Sequence, residues 1–325
     1  MSKCLFVTCV SPERPHPSGR LALSYEKKGV QTFTLFENAR SLAGLIQDAK
    51  RLFRILESRS YDTAWINVNG SIAQAIAVVL CRWHGVTPKL WIMDSYPGCL
   101  RYVTPYWGFF YPVFFISSVV AKFFAHQVLV IDEAFPSYAP TWPGFRRKCI
   151  YTPLPQLRAS SEIFEKEVLS TNGDVQKTPT IGIVGNIEKQ WLDNGFFDFY
   201  KQSRVHGHRI LIATSNQIEV SRFALDGIEC VVPWPKSETE RVFTKCSAIL
   251  VPLSVARLIY SSPSKIIDCY MRGIQPVVMT DLAAWNRNKN RTIYRKCIHL
   301  KDYFSGVSQH SSRELIAYSQ QWCEA

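Results

Sequence analysis

The chain has 325 residues, which at ~100–200 residues per domain favours two domains, and its 47% hydrophobic and 20% charged composition excludes the intrinsically disordered class. Ten cysteines scattered singly, with no CxxC pair and no Cys/His cluster at zinc spacing, indicate no metal site and suit a reducing cytoplasm. The net charge of +12 calls for an acidic partner, for which nucleic acid, anionic lipid and a sugar-nucleotide pyrophosphate all qualify.

The first apolar run, Cys4–Val10, is broken by Ser11-Pro12-Glu13-Arg14 where a signal peptide would continue, so it reads as a strand. Further strands are predicted at Val30–Phe36, Thr63–Val68, Lys89–Met93 and Gln127–Ile131, alternating with helices near Arg20–Lys28, Ser41–Ser58, Ser71–His84 and Pro112–Ala125. A second series of strands covers Thr180–Val184, Arg209–Ala213, Ile228–Val232, Ala248–Pro252, Pro276–Met279 and Cys297–Leu300. Helices fit between these at Asn194–Gln202, Ser237–Thr244, Ser264–Arg272 and Ser312–Gln321. The alternation predicts two doubly wound parallel sheets in tandem. The first domain is expected at 1–152, a polar linker at 153–179 and the second domain at 180–325, its last helix able to pack back on the first. Ligands of open α/β sheets bind beyond the carboxyl ends of the strands, so a cleft shared by the two domains is expected.

One segment stands apart. Val103–Ala121 has no charged residue and holds seven aromatic side chains, from Tyr106 to Phe115, between Arg101 and Lys122. Its length meets the membrane-span requirement, but Pro105, Gly108 and Pro112 interrupt it. A buried helix, a membrane-surface patch and a span are the three readings.

The stretch from Pro252 to Val278 carries the most chemistry. A strand ends at Pro252, and Pro263-Ser264 opens a helix that Gly273 closes. Free amides at that start, with the Ser264 hydroxyl and the Lys265 ammonium, make an anion site suited to a pyrophosphate, and Asp268 one turn on can accept hydrogen bonds from ribose hydroxyls. An ordinary capped helix with a solvated Lys265 is the plainer account of the same residues.

Ser264, Lys265, Asp268, Gly273, Pro276, Val277 and Val278 resemble the donor-binding segment of the retaining GT-B glycosyltransferases, the family 4-like group. That segment reads Pro-Ser/Thr-Lys, then Glu, then a short helix ending in Gly-x-Pro-Val-Val, and Ile274-Gln275 lengthen the last spacing by one residue. The resemblance implies a GT-B fold of two Rossmann-like domains and transfer of a sugar from a nucleotide diphosphate to an acceptor hydroxyl with retention. It assigns Ser264 and Lys265 to the donor phosphates, Lys265 thereby stabilising the leaving group, and Asp268 to the ribose. Where the family carries the first of two Glu residues separated by seven others, this chain has Tyr260, and Asp268 stands at the second.

Thr180–Trp191 is similar to the Gly-rich turn after the first strand of the family's second domain, which implies phosphate contacts for Gly185, Asn186 and Lys189. Val231–Glu238 resembles the nucleobase loop and implicates Val232 and Trp234, although Trp234 can equally be a packed loop aromatic. In the first domain, Ser11–Arg20 stands where the family places its acceptor loop, so His16, Gly19 and Arg20 are candidate acceptor contacts unless the prolines make it a rigid connection. Asp94, just after a strand, is the candidate to orient or deprotonate the acceptor hydroxyl; a turn or helix cap is its structural alternative.

These residues call for no metal and no cofactor beyond the sugar nucleotide. The implied acceptor is a glycan or lipid-linked molecule, and the location is the cytoplasm, peripheral at the inner face of a membrane. A dehydrogenase is disfavoured because no GxGxxG follows the first strand. A non-catalytic sugar-nucleotide-binding relative, favoured by Tyr260, and an enzyme acting on nucleic acid are the alternatives; dispersed small basic groups weigh against the latter.

Overall fold

The computed structural model describes residues 3–11, 17–37, 41–58, 60–92, 107–130, 149–151, 179–184, 195–213, 228–231, 243, 245–260 and 264–324. The chain divides into two compact units, Met1–Gln156 with Ile259–Ser262, and Leu157–Leu258 with Pro263–Ala325.

In the first unit, β1 (Cys4–Thr8), β2 (Gln31–Thr34), β3 (Thr63–Asn67), β4 (Thr87–Ile92), β5 (Gln127–Val130) and β6 (Cys149–Tyr151) form one sheet in the order β2-β1-β3-β4-β5-β6. Every pairing is parallel. Leu5, Phe6, Val7 and Thr8 are all fully buried, as a parallel strand covered on both faces requires. On one face Tyr25 of α1 (Pro17–Lys27) stacks on Phe6 at 4.9 Å and tilts onto Trp65 at 5.8 Å. Leu5, Val7 and Ile66 instead join a core with Leu45, Leu52 and Leu56 of α2 (Leu42–Ser58) and Ala73, Ala77 and Cys81 of α3 (Ser71–Trp83). The helix α4 (Trp107–Phe124) lies against α3. β6 was not expected; three residues are too few to show a period.

The structure corrects two expectations here. Helix α1 begins at Pro17, so Gly19 and Arg20 belong to its first turn and not to a loop; the fixed φ of proline suits the opening of a helix. Helix α4 begins at Trp107 and runs through Pro112, and it is not a buried helix, because Phe109, Val113 and Ile116 are exposed. Among the described residues no helix is long and apolar enough to cross a membrane.

The second unit contains β7 (Thr180–Val184), α5 (Phe196–Val205), β8 (Arg209–Ala213), β9 (Ile228–Val231), β10 (Ala248–Pro252), the first four residues of α6 (Val255–Tyr260), α7 (Ser264–Met271), β11 (Gln275–Met279), α8 (Leu282–Asn288), β12 (Ile298–His299), α9 (Leu300–Phe304) and α10 (Ser312–Glu324). Its strand order is β12-β11-β10-β7-β8-β9, again parallel throughout. Counted within the unit, this is the doubly wound dinucleotide-fold order, and the direction of winding reverses between β7 and β10.

Gly182 of β7 is required by packing: a Cβ there would lie 2.6 Å from both Cys246 Sγ and Ile249 Cδ1. Gly273 ends α7 at φ +62°, and its missing side chain admits the backbone of Ser312 to about van der Waals contact. The helix that follows, α10, opens with a capping box in which Glu314 Oε2 accepts from the Ser311 N–H and hydroxyl at 2.8 and 2.9 Å. It lies against α7, with Tyr318 edge-on to Tyr270 at 5.5 Å.

Candidate functional site

Helix α7 descends from the carboxyl end of β10, the strand that flanks the winding reversal. Its interior is almost wholly covered, with Ile266, Ile267, Cys269 and Tyr270 at 1% exposure or less. Tyr270 donates to the Ile293 carbonyl at 2.9 Å and its hydroxyl lies 3.1 Å from Cys297 Sγ, so burial drives this phenol well above its ordinary pKa. Lys265 and Asp268 are the two described side chains of the helix that escape full burial, and at i and i+3 they share one face. The expected phosphate and ribose ligands are thus neighbours. The Asp268 carboxylate also meets Arg272, whose Nη1 lies 3.3 Å from Oδ1 and whose guanidinium stacks on Phe243 at 4.5 Å. The Ser264 residue opens the helix; its side chain is not among those described.

Helix α6, which follows β10, is tied down at Leu258. The Leu258 carbonyl of α6 accepts from both the Arg291 guanidinium and the Tyr294 hydroxyl, and both donors are buried. A carbonyl that accepts from a charged donor and a phenol anchors α6 at Leu258.

Beside these elements a pocket of about 680 Å³ opens at the carboxyl ends of β10, β11 and β12. Pro252, Met279 and His299, the last residues of the three strands, form its floor, and Asp198 and Phe199 of α5 line it with Ser254, Thr280, Asp281 and Lys301. The volume suits a small ligand. Asp281 Oδ1 accepts from the Ala284 N–H at 2.8 Å and so caps α8. His299 Nδ1 accepts from the Lys301 N–H at 3.3 Å and Nε2 lies 3.0 Å from the Thr280 carbonyl, so both ring nitrogens are engaged and the ring's orientation is set. The Thr280 hydroxyl is buried with no hydrogen-bond partner among the described residues. A buried hydroxyl of that kind is a standing invitation to a polar ligand.

Pro252–Val255 open the stretch that the sequence singled out, but Asp198, Thr280, Asp281, His299 and Lys301 did not stand out in the sequence. The available signal was position alone, since Thr280-Asp281 follows the Val277-Val278-Met279 run directly, where a strand's carboxyl end delivers its ligands.

Of the remaining candidates, Gly19 is buried in α1 and the side chain of Arg20 is not described. His16, Asp94, Gly185, Asn186, Lys189, Val232 and Trp234 lie outside the described residues; Asp94 comes two residues after the end of β4, Gly185 directly after β7 and Val232 directly after β9. Among the described residues no group of three or more His, Cys, Asp or Glu could hold a metal ion. The eight cysteines whose side chains are described are free thiols, and burial raises the pKa of Cys81, Cys246 and Cys297 to about 12.

No protein-family model and no curated protein matches this chain. Solved structures do. The UDP-GlcNAc 2-epimerase of Neisseria meningitidis bound to UDP-GlcNAc aligns with a TM-score of 0.54 at 12% identity, covering 99% of this chain and 91% of that one. Acinetobacter baumannii MurG aligns at 0.52 and 12% identity over 100% and 95%. Anabaena HepE in complex with UDP and glucose aligns at 0.54 and 10% identity over 99% and 89%. The fold is therefore of the GT-B type, two parallel-sheet α/β domains, as the sequence predicted.

Proposed function

We propose that the protein is a glycosyltransferase that moves a sugar from a nucleotide diphosphate to an acceptor hydroxyl with retention, in the manner of the family 4-like group, and serves the synthesis of a cell-surface polysaccharide or glycolipid. The observation that carries this reading is the shared face of Lys265 and Asp268 in the first turns of α7, at the carboxyl end of β10. The α7 amides, Ser264 and Lys265 hold the donor diphosphate and stabilise the charge that builds on it as the glycosidic bond breaks, and no metal is needed for this. Asp268 takes the ribose, Gly185, Asn186 and Lys189 approach the phosphates, and Val232 and Trp234 receive the base. Uridine is the base we assign, because structural neighbours are complexes with UDP or UDP-GlcNAc.

The pocket beside β10–β12 suits the sugar: the Thr280 hydroxyl and the Asp281 and Asp198 carboxylates offer acceptors and a donor for its hydroxyls, and the Phe199 ring offers an apolar wall. Asp94 orients the acceptor hydroxyl, with His16, Gly19 and Arg20 contacting the rest of that molecule. We take the acceptor to be a glycan or a lipid-linked molecule met at the cytoplasmic face of a membrane.

A second reading is an epimerase acting on the sugar nucleotide alone, favoured by the epimerase structures that the chain matches over nearly its whole length. Tyr260 in place of the family Glu favours a third, a binding protein without turnover. Incubation with a panel of UDP-sugars, with and without a glycolipid extract, followed by chromatography of the nucleotide and sugar products, separates the three. UDP released only when acceptor is present supports the transferase. An altered UDP-sugar without acceptor identifies the epimerase, and binding with neither product identifies the binding protein.

A further inference from the structure

On α4 the ordinary division of an amphipathic helix is reversed. Phe109, Val113, Ile116 and Phe123, spaced i, i+4, i+7 and i+14, form one stripe exposed by 83, 51, 61 and 56%, with Phe110 and Phe124 beside it. The opposite side holds Ser118, Ala121 and Lys122, each at 1% exposure or less. Water favours the opposite arrangement, so an apolar medium is the natural surrounding for this stripe.

The band does not stop at α4. At the end of α3, Arg82 Nε donates to the Phe124 carbonyl at 2.8 Å, the adjacent Trp83 is 80% exposed, and His84 meets Phe53 of α2 edge-on at 4.8 Å. On α2, Ile46, Lys50, Phe53, Arg54 and Glu57 are all exposed at i, i+4, i+7, i+8 and i+11, which sets two cations and one carboxylate among two apolar side chains on one face. Residues 1–156 carry 17 Lys and Arg against 9 Asp and Glu.

We propose that this face of α2, α3 and α4 seats the first unit on an anionic lipid surface, with the α4 stripe at the boundary of headgroups and acyl chains and Lys50 and Arg54 against lipid phosphates. Aromatic rings favour that depth, and juxtaposed cations add attraction to an anionic leaflet. The proposal deepens the membrane contact in the function proposed above, and rests on that reading only for why the protein needs a membrane. Lys122, which sequence position suggested as a flanking cation, is replaced in that role by the α2 cations, since it is buried. A second copy fits the face less well: an isologous pair would repeat the same cations on both sides of the contact, whereas lipid phosphates neutralise them.

Cosedimentation of the full chain tests this with vesicles of phosphatidylcholine alone and of phosphatidylcholine mixed with phosphatidylserine, at low and high salt. The parent is expected in the pellet with the mixed vesicles at low salt. F109S/I116S is expected to lose most of that binding at either salt, and K50E/R54E to lose more than tenfold, each cation being worth roughly fivefold. A parent that stays in the supernatant, or variants that pellet as it does, overturns the proposal. So does light scattering that shows a dimer which F109S/I116S abolishes. Thermal stabilisation by UDP, measured on the same samples, reports on the donor site separately: retained UDP binding without vesicle binding fails the lipid face alone, and the reverse fails the sugar-nucleotide reading alone.

Discussion

Arg272 reaches back one turn along α7 to Asp268, placing Nη1 2.9 Å from its carbonyl and 3.3 Å from Oδ1, with the guanidinium side chain at 5% exposure. The carboxylate proposed for the ribose therefore also neutralises a buried cation. Asp268→Asn keeps the shape, loses the charge, and is expected to lower both the melting temperature and UDP affinity, because removing one partner of a buried pair leaves the other uncompensated. Thermal melts paired with isothermal titration separate the effects. Affinity equal to the parent's in a folded variant would remove Asp268 from the site.

Lys265→Ala should weaken UDP binding by about 1.5–3 kcal/mol, the usual worth of a charge-assisted contact to phosphate. Its half-buried position on the Asp268 face leaves the core untouched, so the melting temperature without ligand should move little. Titration with UDP and with uridine checks the role: the loss should appear with the diphosphate and not with the nucleoside.

Thr280→Val exchanges the hydroxyl, which has no partner among the described residues, for a methyl group of the same shape. Stability without ligand should hold or rise by about 1 kcal/mol, because an unsatisfied buried polar group disappears. Affinity for a UDP-sugar should fall while that for UDP does not. Equal loss for both ligands would place the sugar elsewhere.

Gly273→Ala combines two penalties, a left-handed φ of +62° and a Cβ 2.8 Å from Ser312 Cβ and 3.0 Å from that residue's backbone. Strain of about 1–2 kcal/mol and overpacking of about 1–3 kcal/mol are expected to add, with loosening of α10 from α7. Hydrogen exchange over residues 312–320 should quicken more than over β10. A neutral effect on stability would show that the helix pair can shift at little cost.

Burial lowers the Lys122 pKa to about 7 from its usual 10.5, the nearby Cys149 thiol opposing this weakly. Between these values the unfolded chain holds a proton that the folded chain has released, so stability rises with pH from about 7 upward and reaches its low plateau below. Above pH 9 the buried thiols act in the opposite sense, since Cys81 and Cys246 stay protonated to about 12 while the unfolded thiols ionise. Denaturation in urea between pH 6.5 and 8.5 should therefore show a rising stability, a window set by these two thresholds. Lys122→Met should flatten the slope and raise stability at the acid end. A parent with no slope would contradict the buried amine.

Much of the fold was legible because parallel strands covered on both faces read as short continuous apolar runs. Ile181–Val184, Ile210–Ala213 and Ala248–Val251 are visible as such without any knowledge of their neighbours. Helix α7 was legible too, because proline, serine and glycine mark its ends through local backbone chemistry, and the spacing of Lys265 and Asp268 set them one turn apart on it. Tertiary structure decided what depends on partners distant in sequence. The order β12-β11-β10-β7-β8-β9 gathers Asp198, Thr280, Asp281 and His299 around one pocket from segments that no local pattern connects. On α4 the composition announced an apolar helix, but which side is covered was decided by packing: Ser118, Ala121 and the whole of Lys122 are buried, while Phe109, Phe110 and Phe123 are exposed.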